Sequence, residues 1–459
     1  MKRHYKYPEF FDFGVGSMWG SKYMELSDNL LRYAKLNPEF GRFNENQAII
    51  NDLEKAMREA EEKLASLAAN PVPDPEEPED LPGIRAERPD GPRRISMTIP
   101  KDYHDRFMGS ILARGAGCTL GAGLEFQSVY DMESWAKYFD REYPLTDYWE
   151  RIKGPFHSRY IVGVSNELCR GQMDCIPVDD DTAYTLIGLL TLEENGPGFT
   201  KQQMADTWLR HFPLQAENGS WGCFWGERKM VQNLLSGVPA EQAGYLNNPN
   251  VQSVAAWTRA DAWGYAAAGW PEKAAELAYK DSSINHRRNG VYAAMFFAAT
   301  IAVSFAVDDP VEAMKIGLTE IPKNCEFAQA ARWALDIAPQ VKDFRDGAKA
   351  VREKYPGMFE GHAINCGLFV ILGVCIGKKD VTKTIGETVA MGMDNDCTGA
   401  TSGSIVGAVV GKKNVPEHWY KPFNNRMRVY FKEQPDYIDL DDLGHRFEVQ
   451  AKKLYNGSN

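Results

Sequence analysis

Glycine recurs every fourth residue in two widely separated stretches of the chain. In "MGSILARGAGCTLGAGLE" small residues fall at Gly109, Ala113, Gly117 and Gly121, and in "GATSGSIVGAVVG" glycines fall at Gly399, Gly403, Gly407 and Gly411. A spacing of four lays each set along one ridge of an α-helix. Glycine inside a helix costs about 0.5–1 kcal/mol relative to alanine, so its repetition implies a compensating gain, and a bare ridge permits close backbone approach. The pattern predicts two helices packed tightly at the centre of the fold.

The second ridge and another apolar helix both open on acid. Asp394 and Asp396 stand at the start of the ridge, and Asp179, Asp180 and Asp181 precede "TAYTLIGLL". One Asp at a helix N-terminus is ordinary capping, worth about 0.5–2 kcal/mol. Capping uses a single carboxylate, whereas three in succession, or two flanking an Asn, repel one another unless a cation or solvent relieves them. All-oxygen clusters suit Mg²⁺, Ca²⁺ or Mn²⁺ rather than zinc. An EF-hand is excluded: in "DNDCTGATSGSI" Asp394, Asp396 and Gly399 fall at loop positions one, three and six, but Ile405 stands where the bidentate Glu belongs. "GAVVGKK" lacks the spacing and the Ser or Thr of a phosphate-binding loop, and neither G-x-S-x-G nor H-E-x-x-H occurs. Cys397 reads as a small buried residue, since no partner histidine marks it as a nucleophile.

The rest of the chain from residue 100 to 459 reads as helix, with little period-two alternation, so the expected fold class is all-α. "VYAAMFFAATIAVSFAV" and "CGLFVILGVCIG" are shorter than the roughly 18–20 residues of a membrane span and read as buried core helices. Residues 1–69 form an extension with an amphipathic helix, its stripe drawn by Ile50, Leu53, Met57, Ala60, Leu64 and Leu67 behind an N-cap at Asn44. Residues 70–99, within "NPVPDPEEPEDLPGIRAERPDGPRR", are rich in proline and acid and are expected to run as an extended linker or strap without regular helix. A net charge of -11 argues against a nucleic-acid groove, and an anionic substrate would need a local positive element such as a metal ion. Eight cysteines without a C-x-x-C pair fit a reduced, cytoplasmic chain, and no apolar run follows the basic N-terminal residues.

Four motifs, "DRFMGSILARGAGCTLGAGLE", "DDDT", "NHRRNGVYAAMFFAA" and "GMDNDCTGATSGSIVGAVVGKKNVPEHW", together resemble the ADP-ribosylglycohydrolase family in order and approximate spacing, over roughly residues 100 to 425. The resemblance implies a compact multi-helix domain with a central cleft, where the two acidic motifs hold two Mg²⁺ ions, Ca²⁺ or Mn²⁺ being alternatives. Members of the family cleave the N- or O-glycosidic bond at the anomeric carbon of a ribose in ADP-ribose. By position, Asp180 and Asp181 match the family's paired aspartates, Asp179 stands where many members have Thr, and Asp394 and Asp396 match the late pair. Cys397 stands where Thr is usual and is counted with the implied metal group. Glu125 matches an acidic residue near the metals, and Asn289 and Gly290 match a loop that contacts ADP-ribose, with Tyr292 close by. Glu227, Arg259 and Asp261 lie in a stretch similar to a bacterial branch of the family and are pocket candidates, with buried ion pairing as the competing role. One departure stands out: the family often reads Gly-Asp where this chain reads Gly117-Cys118, which removes a carboxylate from the neighbourhood of the site.

The implied activity is Mg²⁺-dependent hydrolysis that frees an ADP-ribosyl or related ribosyl group from a protein or small-molecule acceptor. Asp396 and Glu125 both qualify as the general base. Two rivals use the same scaffold: a nucleoside or other glycoside hydrolase, and a non-catalytic, metal-dependent ADP-ribose-binding protein.

Overall fold

The computed structural model describes residues 74–151, 166–213, 223 and 225–457, and before them scattered helical positions between 48 and 63. By compactness the chain divides into a main body, Glu76–Lys354 with Glu360–Asn459, and a smaller unit, Met1–Pro75 with Tyr355–Phe359. The apolar stripe expected at Ile50, Leu53, Met57, Ala60, Leu64 and Leu67, and its cap at Asn44, lie outside the described residues.

The main body is all-α. The helices that position its centre are α1 (Leu81–Glu87), α2 (Tyr103–Ala122), α3 (Asp180–Asn195), α4 (Asn289–Ser304), α5 (Ala363–Gly377) and α6 (Asn395–Val410). The two apolar runs form α4, buried along its whole length, and α5, buried along nearly all of it. Among the described residues no helix is long and apolar enough to cross a membrane.

The two glycine ridges meet. A methyl group on Gly399 would sit 2.7 Å from the Gly117 carbonyl oxygen, and methyls on Gly109 and Gly121 would overlap the carbonyls of Gly407 and Asn395. Residue 109 therefore faces 407, 117 faces 399 and 121 faces 395, so α2 and α6 run antiparallel with their backbones in contact. This register has one decisive effect: it sets the C-terminal end of α2, and the Glu125 loop after it, beside the acidic N-terminal end of α6.

The third acidic segment is held by a small sheet. Strand β1 (Arg426–Arg428) pairs antiparallel with β2 (Tyr437–Asp439), Met427 opposite Ile438. Ile176 joins its edge, donating N–H to the Arg426 carbonyl at 2.8 Å and accepting from Arg428 N at 3.0 Å. Its side chain fills the notch left by Gly115, where a methyl would lie 2.6 Å from Ile176 Cδ1. "CIPVD" is thus clamped against α2 immediately before α3 begins.

The proline-rich strap departs from expectation, because it contains the helix α1. Asp80 caps that helix by accepting from Gly83 N at 2.7 Å, and Pro82 occupies the first turn, where a missing N–H costs nothing. The strap is also fastened along its length. Arg88 pairs with Glu320 at 2.6 Å and with Glu272 at 2.5 Å, Arg93 reaches Glu320 at 3.2 Å, and Arg94 stacks 4.1 Å above the Trp270 ring. The strap's charges are neutralised by distant partners that local sequence does not reveal.

Candidate metal centre

The ends of α2, α3 and α6 converge on a cluster of acids. Ligand atoms group in three overlapping triads, each spanning less than 4.8 Å: Cys118, Asp179 and Asp181; Asp181, Asp396 and Cys397; and Glu125, Asp394 and Asp396. The structure so brings together seven side chains from four separate stretches of sequence. Asp180 stands outside the three triads and is partly exposed. Its charge still reaches Asp181 and Glu125.

Capping accounts for one of these acids and fails for others. Asp179 caps α3, accepting from Asp181 N at 2.9 Å. Asp394 occupies the N-cap position of α6 yet makes no side-chain capping bond, and its Oδ1 has no hydrogen-bond partner. Asp181 is fully buried, and neither of its carboxylate oxygens accepts a hydrogen bond. A buried, unpartnered carboxylate is costly, and a cation is the natural partner for donors of this kind. The donor set present here fits a divalent metal.

Electrostatics agree with that reading. Burial, followed by repulsion from neighbouring carboxylates, holds Glu125, Asp180, Asp181 and Asp394 well above the usual carboxylate range and pushes Asp179 up to about 7. Asp396 is raised as well, chiefly by burial. One cation enters the cluster from protein: Arg114, fully buried on α2, lies 3.7 Å from Asp181 Oδ1, but its closer partner is Asp261 Oδ2 at 2.8 Å. Arg114 was missed at the sequence level, although a lone arginine among apolar and small residues in "ILARGAG" was a visible signal.

The backbone is strained where the acids are presented. Met393 and Phe126 both adopt left-handed conformations, φ 63° and 59°, and Phe126 N donates to the Met393 carbonyl at 2.8 Å. Left-handed backbone at non-glycine residues costs on the order of 1–3 kcal/mol and persists where surroundings enforce it. This one hydrogen bond ties the loop bearing Glu125 to the loop bearing Asp394.

The ADP-ribose contacts implied for Asn289, Gly290 and Tyr292 meet a different arrangement. Asn289 accepts from Phe327 N at 2.9 Å and donates to Gln252 Oε1 at 2.9 Å, and Tyr292, fully buried, donates to the Pro78 carbonyl at 2.8 Å. A methyl on Gly290 would lie 2.8 Å from the Val251 carbonyl oxygen. These side chains fasten α4 to the strap and to a neighbouring loop, and none belongs to the acidic triads. Glu227, Arg259 and Asp261 are likewise spent on buried pairs: Arg259 binds Glu227 at 2.6 Å and Asp281 at 2.8 Å, and Asp261 binds Arg114.

The body is all-helical, and its helix mouths converge on a cluster of acids that could hold metal ions. The profile of the ADP-ribosylglycohydrolase family matches residues 99–453, and the chain belongs to that family. A solved structure described as an "ADP-ribosylglycohydrolase-related protein complex" is similar over 78% of this chain and 100% of that chain, at 19% identity and a TM-score of 0.48. No curated protein matches the chain. The assignment rests on the family profile.

Proposed function

We propose that the protein is a divalent-cation-dependent hydrolase that removes an ADP-ribosyl group, or a closely related ribosyl group, from its acceptor by cleavage at the anomeric carbon. The observation that carries this reading is the set of buried carboxylate oxygens, both of Asp181 and Oδ1 of Asp394, that accept no hydrogen bond, within triads that a cation would complete. Bound there, Mg²⁺ or a similar ion supplies positive charge and coordination sites for ribose hydroxyls.

The protein residues divide the remaining work. Asp179, Asp181, Asp394 and Asp396 would hold the cation, and Asp180, partly exposed beside them, adds its charge to the field. Asp396 Oδ1 is fixed by the Cys397 N–H at 2.9 Å, which suits a ligand more than a mobile base. Glu125 is less enclosed and sits in a loop at the mouth, so it takes the proton from water as the water oxygen bonds to the anomeric carbon. The glycosidic bond breaks in the same step, its electrons leave with the acceptor, and nearby carboxylates stabilise the developing oxocarbenium charge. All eight cysteines are free thiols, which supports a reducing, cytoplasmic setting.

The test is product release. Chelator-stripped protein, with and without Mg²⁺ or Mn²⁺, is incubated with ADP-ribosylated arginine, ADP-ribosylated serine, O-acetyl-ADP-ribose and a nucleoside panel, and products are resolved by chromatography. Cation-dependent release of ADP-ribose supports the proposal. Release from nucleosides alone assigns the scaffold to a different hydrolysis, and binding of ADP-ribose without turnover makes the protein a reader.

A further inference from the structure

The three triads are not chemically alike. Glu125, Asp394 and Asp396 offer oxygen only, whereas each of the other two triads sets a thiol beside two carboxylates. Hard ions such as Mg²⁺ take oxygen donors, and thiolates favour borderline or soft metals such as zinc. An all-oxygen centre has no use for two sulfurs aimed at the same buried Asp181.

The ordinary explanation of a buried cysteine is space filling. Against it, the described residues of the chain offer an internal comparison. Cys169, Cys175, Cys223, Cys325, Cys366 and Cys375 enter no group with two further ligands, whereas Cys118 and Cys397 do. The two thiols also arrive from different helices, Cys118 near the end of α2 and Cys397 in the first turn of α6. The second, independent sign of a ligand is the fully buried Asp181, whose two oxygens both lack a hydrogen bond and which belongs to both thiol-bearing triads.

Ligand sharing decides between the thiols. The Cys397 triad uses Asp396, which the oxygen-only triad also needs. The Cys118 triad shares no residue with Glu125, Asp394 and Asp396, so those two triads can be filled together.

We propose that this centre has two unlike positions: an oxygen-only position at Asp394 and Asp396, with the base Glu125 facing it, for Mg²⁺, and a thiol-bearing position at Cys118, Asp179 and Asp181 for a borderline divalent transition metal held through a sulfur bond. The inference rests on the reading of the cluster as a metal centre and deepens it. As the sulfur–metal bond forms, the Cys118 proton passes to solvent. The charge of the arriving cation is what draws the proton off the sulfur. Cys118 then sets the metal preference of this position.

The experiment uses the full-length protein, stripped by chelator and reloaded with one equivalent of Zn²⁺ in excess Mg²⁺. X-ray absorption at the zinc edge should show one sulfur at about 2.3 Å beside oxygens at about 2.0–2.2 Å. Co²⁺ in place of Zn²⁺ should give a sulfur-to-cobalt charge-transfer band in the near ultraviolet. Cys118→Ser should abolish the sulfur shell and the band and weaken Zn²⁺ binding by roughly tenfold or more, with Mg²⁺ binding unchanged. Cys397→Ser should keep both signals. An oxygen-only shell around zinc in the unmodified protein overturns the proposal whether or not the variants fold, as does a sulfur shell that survives in Cys118→Ser. Either of these results leaves the oxygen-only centre and the hydrolase reading standing; failure to bind both Zn²⁺ and Mg²⁺ removes the metal reading itself.

Discussion

At Asp181 the balance between folding and function is visible in one side chain. It is fully buried, its oxygens accept no hydrogen bond, and its nearest cation, Arg114, is engaged more closely by Asp261. Replacing Asp181 with Asn removes a repelling charge, so the metal-free variant should melt at or above the parental temperature while losing the rise that Zn²⁺ gives the parent. Arg114→Met should act in the opposite direction, because it leaves Asp261 charged and unpaired in the core, at a cost of about 3–5 kcal/mol. Melting curves with and without cation separate the two. A parental response to Zn²⁺ in Asp181→Asn would contradict the assignment of that residue. The same cluster sets a pH dependence. Asp179, with an ordinary value of 3.8 raised to about 7, binds protons in the folded state before it does in the unfolded chain, so its contribution is full below 3.8 and is lost as pH rises through about 7. Its acidic neighbours Asp180, Asp181 and Asp394 shift in the same direction. The melting temperature of the metal-free protein should therefore fall from about pH 4 to about pH 7, and saturating cation should flatten that slope by holding the carboxylates ionised.

Among the secondary-structure elements, the glycine ridges were legible in sequence because a period of four is a local pattern, and their antiparallel register follows from contacts at 109, 117 and 121. Gly117→Ala should gain about 0.5–1 kcal/mol of helix propensity and lose more to overpacking against Gly399, which typically costs about 1–3 kcal/mol. Its melting temperature should fall and its response to cation shrink, because α2 and α6 carry opposite walls of the centre; an unchanged protein would show that the contact can relax. Other assignments were beyond local reading for identifiable reasons. The helix in the strap depends on Asp80 as cap and on Arg88 and Arg93 finding the buried Glu320, partners more than two hundred residues away. Burial of Tyr292 depends on Pro78, donated by that same strap. Cys118 could be seen only as a missing aspartate until the clamp at Ile176 placed Asp179 and Asp181 against it.

For the whole molecule, the compact body begins at Glu76, ahead of the boundary that composition suggested near residue 100. Removing residues 1–75 should preserve the melting temperature and cation response of the body, since every triad residue lies at Cys118 or beyond. Removing residues 1–93 strips both Arg88 and Arg93 from Glu320, whose side chain has no exposure, and should destabilise the body by about 3–5 kcal/mol. Equal stability of the two truncated proteins would show that the strap is dispensable. The account as a whole turns on whether the convergent carboxylates perform cation-dependent hydrolysis. The most direct measurement is release of ADP-ribose from an ADP-ribosylated substrate by chelator-stripped protein during Mg²⁺ or Mn²⁺ titration, for the parent beside Asp396→Asn. The prediction is no turnover without cation, saturable recovery in the parent, and turnover reduced by roughly a hundredfold or more in the variant. Turnover that persists in chelator, or an Asp396→Asn protein with parental turnover and parental cation response, would contradict it.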